Sequence, residues 1–219
     1  MEPFVSTAGT TLRFAGYAGL TLFLIPLLAL AFPQPLRPVA KPLVSVLDRA
    51  AGAAMWVSIS AAMLIILFQL AAVLLRYIFG LSFSWMTDSI VFAFATIFML
   101  GVAGTLRADG HVRVDILRRE MSAKQKAVVD LIGAFLFILP IAVLILYSAS
   151  GQIARVWINL EPFNESDGLP VKYLFISLVP TFAVLLISQG LSQAIKAAFT
   201  LRDDEIAAEP PSEAPIGSV

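Results

Sequence analysis

The chain has 219 residues, of which 59% are hydrophobic and 14% charged, and its formal net charge is zero. That composition leaves no room for a sizeable soluble domain, and the charge balance gives no reason to expect nucleic acid or an acidic partner. With no cysteine and a single histidine, His111, the chain has no thiol chemistry and cannot hold a haem between two of its own histidines.

Five stretches carry no charged residue: 14–36, 50–75, 89–106, 131–154 and 173–195, of 23, 26, 18, 24 and 23 residues. A bilayer core of about 30 Å takes roughly 20 apolar residues at about 1.5 Å each. In hydrocarbon every backbone amide has to be satisfied inside its own segment, so these runs predict helices. The expected fold is all-α, a polytopic transmembrane bundle of four core spans with an additional N-terminal hydrophobic helix. Residues 1–36 form that extra helix, 37–200 the four-helix membrane domain, and 201–219 an acidic, Pro-rich tail expected to be disordered.

Within the first run, Ala29-Leu30-Ala31 resembles the small-residue cleavage site of a signal peptide. Its basic flank is Arg13 alone and the run is long enough to span, so we read a retained helix. The following stretch carries four prolines between residues 33 and 42. From Lys41 on, Leu43, Val46, Leu47 and Ala50 recur at three and four residues, with Lys41, Ser45, Asp48 and Arg49 elsewhere. That pattern suits a short amphipathic helix lying in the membrane interface, or a plain linker into the second span. Further on, Ser122 and Gln125 make a capping-box pattern, which predicts that the fourth span begins there.

Lysine and arginine are retained on the cytoplasmic side. With five spans, one side holds 11 of them, including Arg37, Lys41, Arg49, the whole 107–126 group, Lys196 and Arg202. The other side holds 4: Arg13, Arg76, Arg155 and Lys172. The N-terminus is therefore expected outside and the C-terminus inside. Trp85, Tyr147, Trp157 and Tyr173 fall near the outer interface, where amphipathic rings settle.

Polar groups inside the spans are scarce. Gln69 and Gln189 read as interhelical hydrogen-bonding glue. There is no mid-depth carboxylate and no polar Gly/Pro-rich break of the kind that binds ions in carriers, so the chain reads as a partner or scaffold. The densest polar cluster runs from Arg107 through Asp109, His111 and Arg113 to Asp115. His111 and Asp115 are four apart, the spacing of an acid–base pair on a helix, as in an acyltransferase at the membrane surface. Gly110 disfavours a helix there and no nucleophile pairs with the histidine, so we read a tight turn and no enzyme. A cofactor-free membrane anchor of some other complex is the further alternative.

Several ordered motifs carry a resemblance. They are Leu75-Arg76-Tyr77-Ile78-Phe79, Ser84-Trp85-Met86-Thr87-Asp88, a span ending Leu100-Gly101, and the series Arg107, Gly110, His111, Val112, Val114, Asp115. Together they resemble the DctQ family, the small membrane subunit of tripartite ATP-independent periplasmic (TRAP) transporters. Asp167-Gly168-Leu169-Pro170 and Gln189 look like the longer DctQ variants, and the match runs from Leu47 to Ala198. Two departures stand out: Asp88 where many relatives carry Glu, and a first helix that the four-span core lacks. The resemblance implies a bacterial inner-membrane subunit beside a large DctM-type permease that holds the substrate and sodium sites and moves cargo by an elevator motion. It also implies a periplasmic substrate-binding protein that delivers an organic acid. Membrane lipids are the remaining expected partner. No cofactor, metal or catalytic residue is expected; the candidate assembly contacts are Arg76, Trp85, Asp88, Arg107, His111, Arg113, Asp115 and Gln189.

Overall fold

The computed structural model describes residues 2–108, 121–160 and 168–203. Among the described residues six helices follow one another: α1 (Glu2–Leu22), α2 (Leu24–Ala31), α3 (Pro33–Phe79), α4 (Ser84–Arg107), α5 (Ala123–Asn159) and α6 (Lys172–Leu201). Helices α3 to α6 are each long and apolar enough to cross a membrane, while the first hydrophobic run yields a shorter apolar helix over Gly16–Ala31. The chain is an all-α membrane bundle.

Proline positions explain the interruptions. A proline cannot donate to the carbonyl four residues back and crowds it. Pro26 does this to Leu22, which is where α1 stops. Pro140 does it to Leu136, and there α5 opens into a π-turn, Ala134–Ile138, with the Leu139 N–H reaching back five residues to the Ala134 carbonyl.

The stretch around Lys41 is neither a separate interfacial helix nor a linker. It is the first part of α3, a single helix of 47 residues or about 70 Å. Pro33 and Pro35 occupy its first turn, where N–H groups have no intrahelical partner, and Pro38 and Pro42 are tolerated inside it. Burial of Ala40 and Val44 in the core offsets their cost. At the other end Gly80 adopts φ 67°, and the N–H groups of Gly80 and Leu81 close on the carbonyls of Arg76 and Leu75. The predicted start of α5 is also found. Gln125 N–H donates to Ser122 Oγ at 3.3 Å and Ser122 N–H to Gln125 Oε1 at 2.8 Å.

Helices α3 and α4 run antiparallel and meet through small residues, as membrane helices do when backbones approach closely. Ala51, Ala54, Ser58 and Ala61 are buried on α3, facing Ala93, Thr96, Gly101 and Gly104 on α4. A Cβ added at Gly104 would stand 2.8 Å from the Met55 Cβ. Helix α6 is central, packing against α2, α3, α4 and α5. Phe23, Leu146, Leu191, Ile195 and Phe199 fill the core, with Phe23 edge-on to Phe135 at 5.2 Å.

Candidate functional site: polar clusters at the two ends of the bundle

On α6 the residues Gln189, Ser192 and Lys196 follow at three- and four-residue steps and so share one face. All three point at Asp48 of α3. Ser192 Oγ donates to Asp48 Oδ1 at 2.7 Å, and Gln189 Nε2 approaches the same oxygen at 3.4 Å. Lys196 Nζ lies 2.6 Å from Oδ2. Gln189 and Ser192 are fully buried, while the Asp48 and Lys196 side chains keep 15% and 24% exposure. Gln189 Oε1 is buried with no partner among the described residues. Asp48 precedes the uncharged run 50–75 and so lies outside its apolar span.

The rest of this end is bound through helix-terminal carbonyls, which have no partner within their own helix. Gln193 Nε2 donates to Leu106 O at the end of α4 at 2.5 Å, and Arg202 Nε donates to Leu30 O at the end of α2. Lys124 of α5 pairs with Asp203 at 2.8 Å, both well exposed. One stretch of α6 and its C-terminal cap therefore fastens α2, α3, α4 and α5 together.

At the opposite end Asp88, near the start of α4, accepts from the Leu169 N–H at 3.0 Å. The motifs that lead into α4 and α6, separated in sequence by two spans, thus meet in space. Nearby, Trp157 Nε1 donates to Ser177 Oγ at 2.8 Å, and the Trp157 and Tyr173 rings meet edge-on at 5.0 Å. Trp85 lies edge-on to Phe68 at 6.2 Å. Arg76, in the last turn of α3, lines a cleft of about 360 Å³ with Gln69, Ser82 and Thr87.

Of the sequence-derived candidates, Gln189 and Asp88 take part in packing between distant segments and Trp85 stacks within the bundle. Arg107 is exposed, with Nη1 2.9 Å from where a Cβ on Gly52 would stand. His111, Arg113 and Asp115 lie outside the described residues. Among the described residues no group of His, Asp or Glu is arranged to hold a metal ion. Sequence reasoning missed Asp48, Ser192, Gln193 and Lys196. It left Asp48 on the polar side of an interfacial helix or in a linker, although a Gln-Ser-Lys face on one helix and a carboxylate at the same end of another were both visible.

The region 63–200 matches the family model described as tripartite ATP-independent periplasmic transporters, DctQ component. No curated protein and no solved structure matches the chain. The match takes in α4, α5, nearly all of α6 and about the last third of α3, with the Asp88–Leu169 bond and the Gln189 face inside it. The chain belongs to the DctQ component family of the tripartite ATP-independent periplasmic transporters, a family of transporter subunits and not of enzymes.

Proposed function

We propose that this chain is the fixed wall of a sodium-coupled importer of organic acids. It sits beside a large DctM-type permease, which carries the substrate and sodium sites, and a periplasmic binding protein delivers the solute. The observation that carries the reading is where the polar and apolar side chains lie. Gln189, Ser192 and Ser58 are spent on bonds inside the bundle, while Trp56, Met63, Leu67 and Leu70 on α3 and Phe94 and Phe98 on α4 stand exposed. An apolar helix face of that breadth suits lipid and a large hydrophobic partner, and a body locked at both ends suits a part that stays still while another moves. Residues 37–200 make the bracing unit in this reading, with 1–36 as an added helix and 201–219 as a tail. The membrane is the bacterial inner membrane, with the N-terminus periplasmic and the C-terminus cytoplasmic.

The segment beyond Arg107 serves assembly, with His111, Arg113 and Asp115 pairing with a partner loop or lipid phosphates. Co-expression with the neighbouring transporter genes and purification through a tag on this chain should recover a much larger membrane protein. Proteoliposomes holding that complex and given the binding protein should take up an organic acid only with a sodium gradient. Asp115→Ala or Arg113→Ala should lower complex yield and uptake in proportion. A lone chain that transports, or a His111→Ala variant that assembles normally yet is inactive, would count against the scaffold reading.

A further inference from the structure

Between α1 and α5 lies a groove of about 560 Å³, within the range of pockets that hold small molecules. Its walls include Leu20, Val143 and Leu144, and Gly16 leaves one stretch without a side chain. Phe135 and Pro140, at the π-turn, line its far end. At its mouth stand Arg13, Tyr17 and Tyr147, and among the described residues Arg13 is the only charged one that lines it. The two tyrosines are largely exposed, and the Arg13 guanidinium lies 5.5 Å over the Tyr147 ring, held by a cation–π contact.

Gly16 faces Val143 and Phe23 faces Phe135, so α1 runs antiparallel to α5. Arg13 thus lies level with Tyr147, at the edge of the uncharged run 14–36, where apolar surface meets headgroups. From Tyr147 to Phe135 is a rise of about 18 Å along α5. That is close to the roughly 15 Å depth of a single hydrocarbon leaflet. A slot of one leaflet's depth, apolar along its length and cationic at its mouth, matches one kind of molecule that always surrounds such a helix pair.

We propose that this groove holds an acyl chain of an anionic glycerophospholipid, with Arg13 meeting its phosphate and the two tyrosines bracketing the glycerol region. The lipid completes the packing of α1 against α5, and α1 lies outside the region that matches the family model. The site therefore exists only where the added helix meets the four-span core, and it does not depend on the transport reading.

The test uses the full chain, extracted with whatever it assembles with, exchanged into nanodiscs of phosphatidylglycerol mixed with phosphatidylcholine, and released for native mass spectrometry. The expected result is one phosphatidylglycerol retained on this chain after the other lipids have left. Arg13→Gln should lower that retention roughly tenfold, as the loss of a charge-assisted hydrogen bond would. Arg13→Lys should keep most of it. Leu20→Trp, which fills the groove, should abolish retention of either lipid, with complex yield and helicity measured alongside to show that the chain is folded. Equal retention in the parent and Arg13→Gln would overturn the proposal. So would phosphatidylcholine held as tightly as phosphatidylglycerol, or a cross-link from residue 144 to a permease helix seated in the groove.

Discussion

At the scale of single residues, Asp48 and Lys196 decide how α3 meets α6. Breaking a buried ion pair from one side leaves an uncompensated charge, whereas replacing both members with apolar groups is often neutral. Asp48→Leu should therefore cost about 3 kcal/mol, the lower part of the range for buried pairs because both side chains keep some exposure. At that cost the Tm of the purified protein falls by roughly 6–12 °C. Adding Lys196→Met should restore most of the loss, and a double variant as unstable as the single one would show that the pair contributes through something other than its charges. This knot was only half legible. Gln189 was visible as a polar residue inside a span, but its partner sat in a stretch read as interfacial. Four prolines between residues 33 and 42 weighed against a long helix there, and the packing of Ala40 and Val44 outweighed them.

At the scale of elements, helix existence was written plainly in the sequence because charge exclusion from hydrocarbon is so costly. Four long helices stand where four uncharged runs lie. How those helices approach one another was not, because small residues look alike in a sequence whether they face a neighbour or lipid. Gly104 and Gly151 show the difference. A Cβ at Gly104 would stand 2.8 Å from the Met55 Cβ, an atom fixed to its backbone, whereas at Gly151 it would meet nothing within 4 Å. Gly104→Val should force α3 from α4 and cost about 1–3 kcal/mol, as overpacking does. Gly151→Ala should stabilise α5 by about 0.5–1 kcal/mol through helix propensity. Thermal unfolding of the two variants side by side checks both signs, and a destabilising Gly151→Ala would reveal an unseen neighbour at that position.

At the scale of the whole molecule, orientation rests on the 11-to-4 division of basic residues, a feature of the sequence on which the helices themselves are silent. Asp48, Arg107, Lys124, Lys196 and Arg202 gather at one end of the bundle, and Trp157, Tyr173 and Trp85 at the other. The cysteine-free background makes the test direct. Single cysteines at Ser6, Ser122 and Ser166, treated in whole cells with an impermeant thiol reagent, should label at 6 and 166 and stay unlabelled at 122. Labelling at 122 would invert the bundle. Loss of residue 6 from the mature chain would mean that the first hydrophobic run is removed as a signal peptide.

The π-turn in α5 has a consequence for how far this bundle can drift in evolution or in design. A π-turn amounts to one residue inserted into an α-helix, which rotates everything beyond it by about 100°. The two halves of α5 are thus out of phase. The half before the turn presents Ala127 and Ala134 inward, and the half after it presents Ala142, Leu146, Ile153 and Val156. Deleting one residue from 134–138 would mend the spiral and swing the later half round, carrying Trp157 off Ser177 and Arg13's tyrosine off Arg13. The helix would be more regular and the bundle would come apart at one end, so this irregularity sets the register between the two ends of the protein.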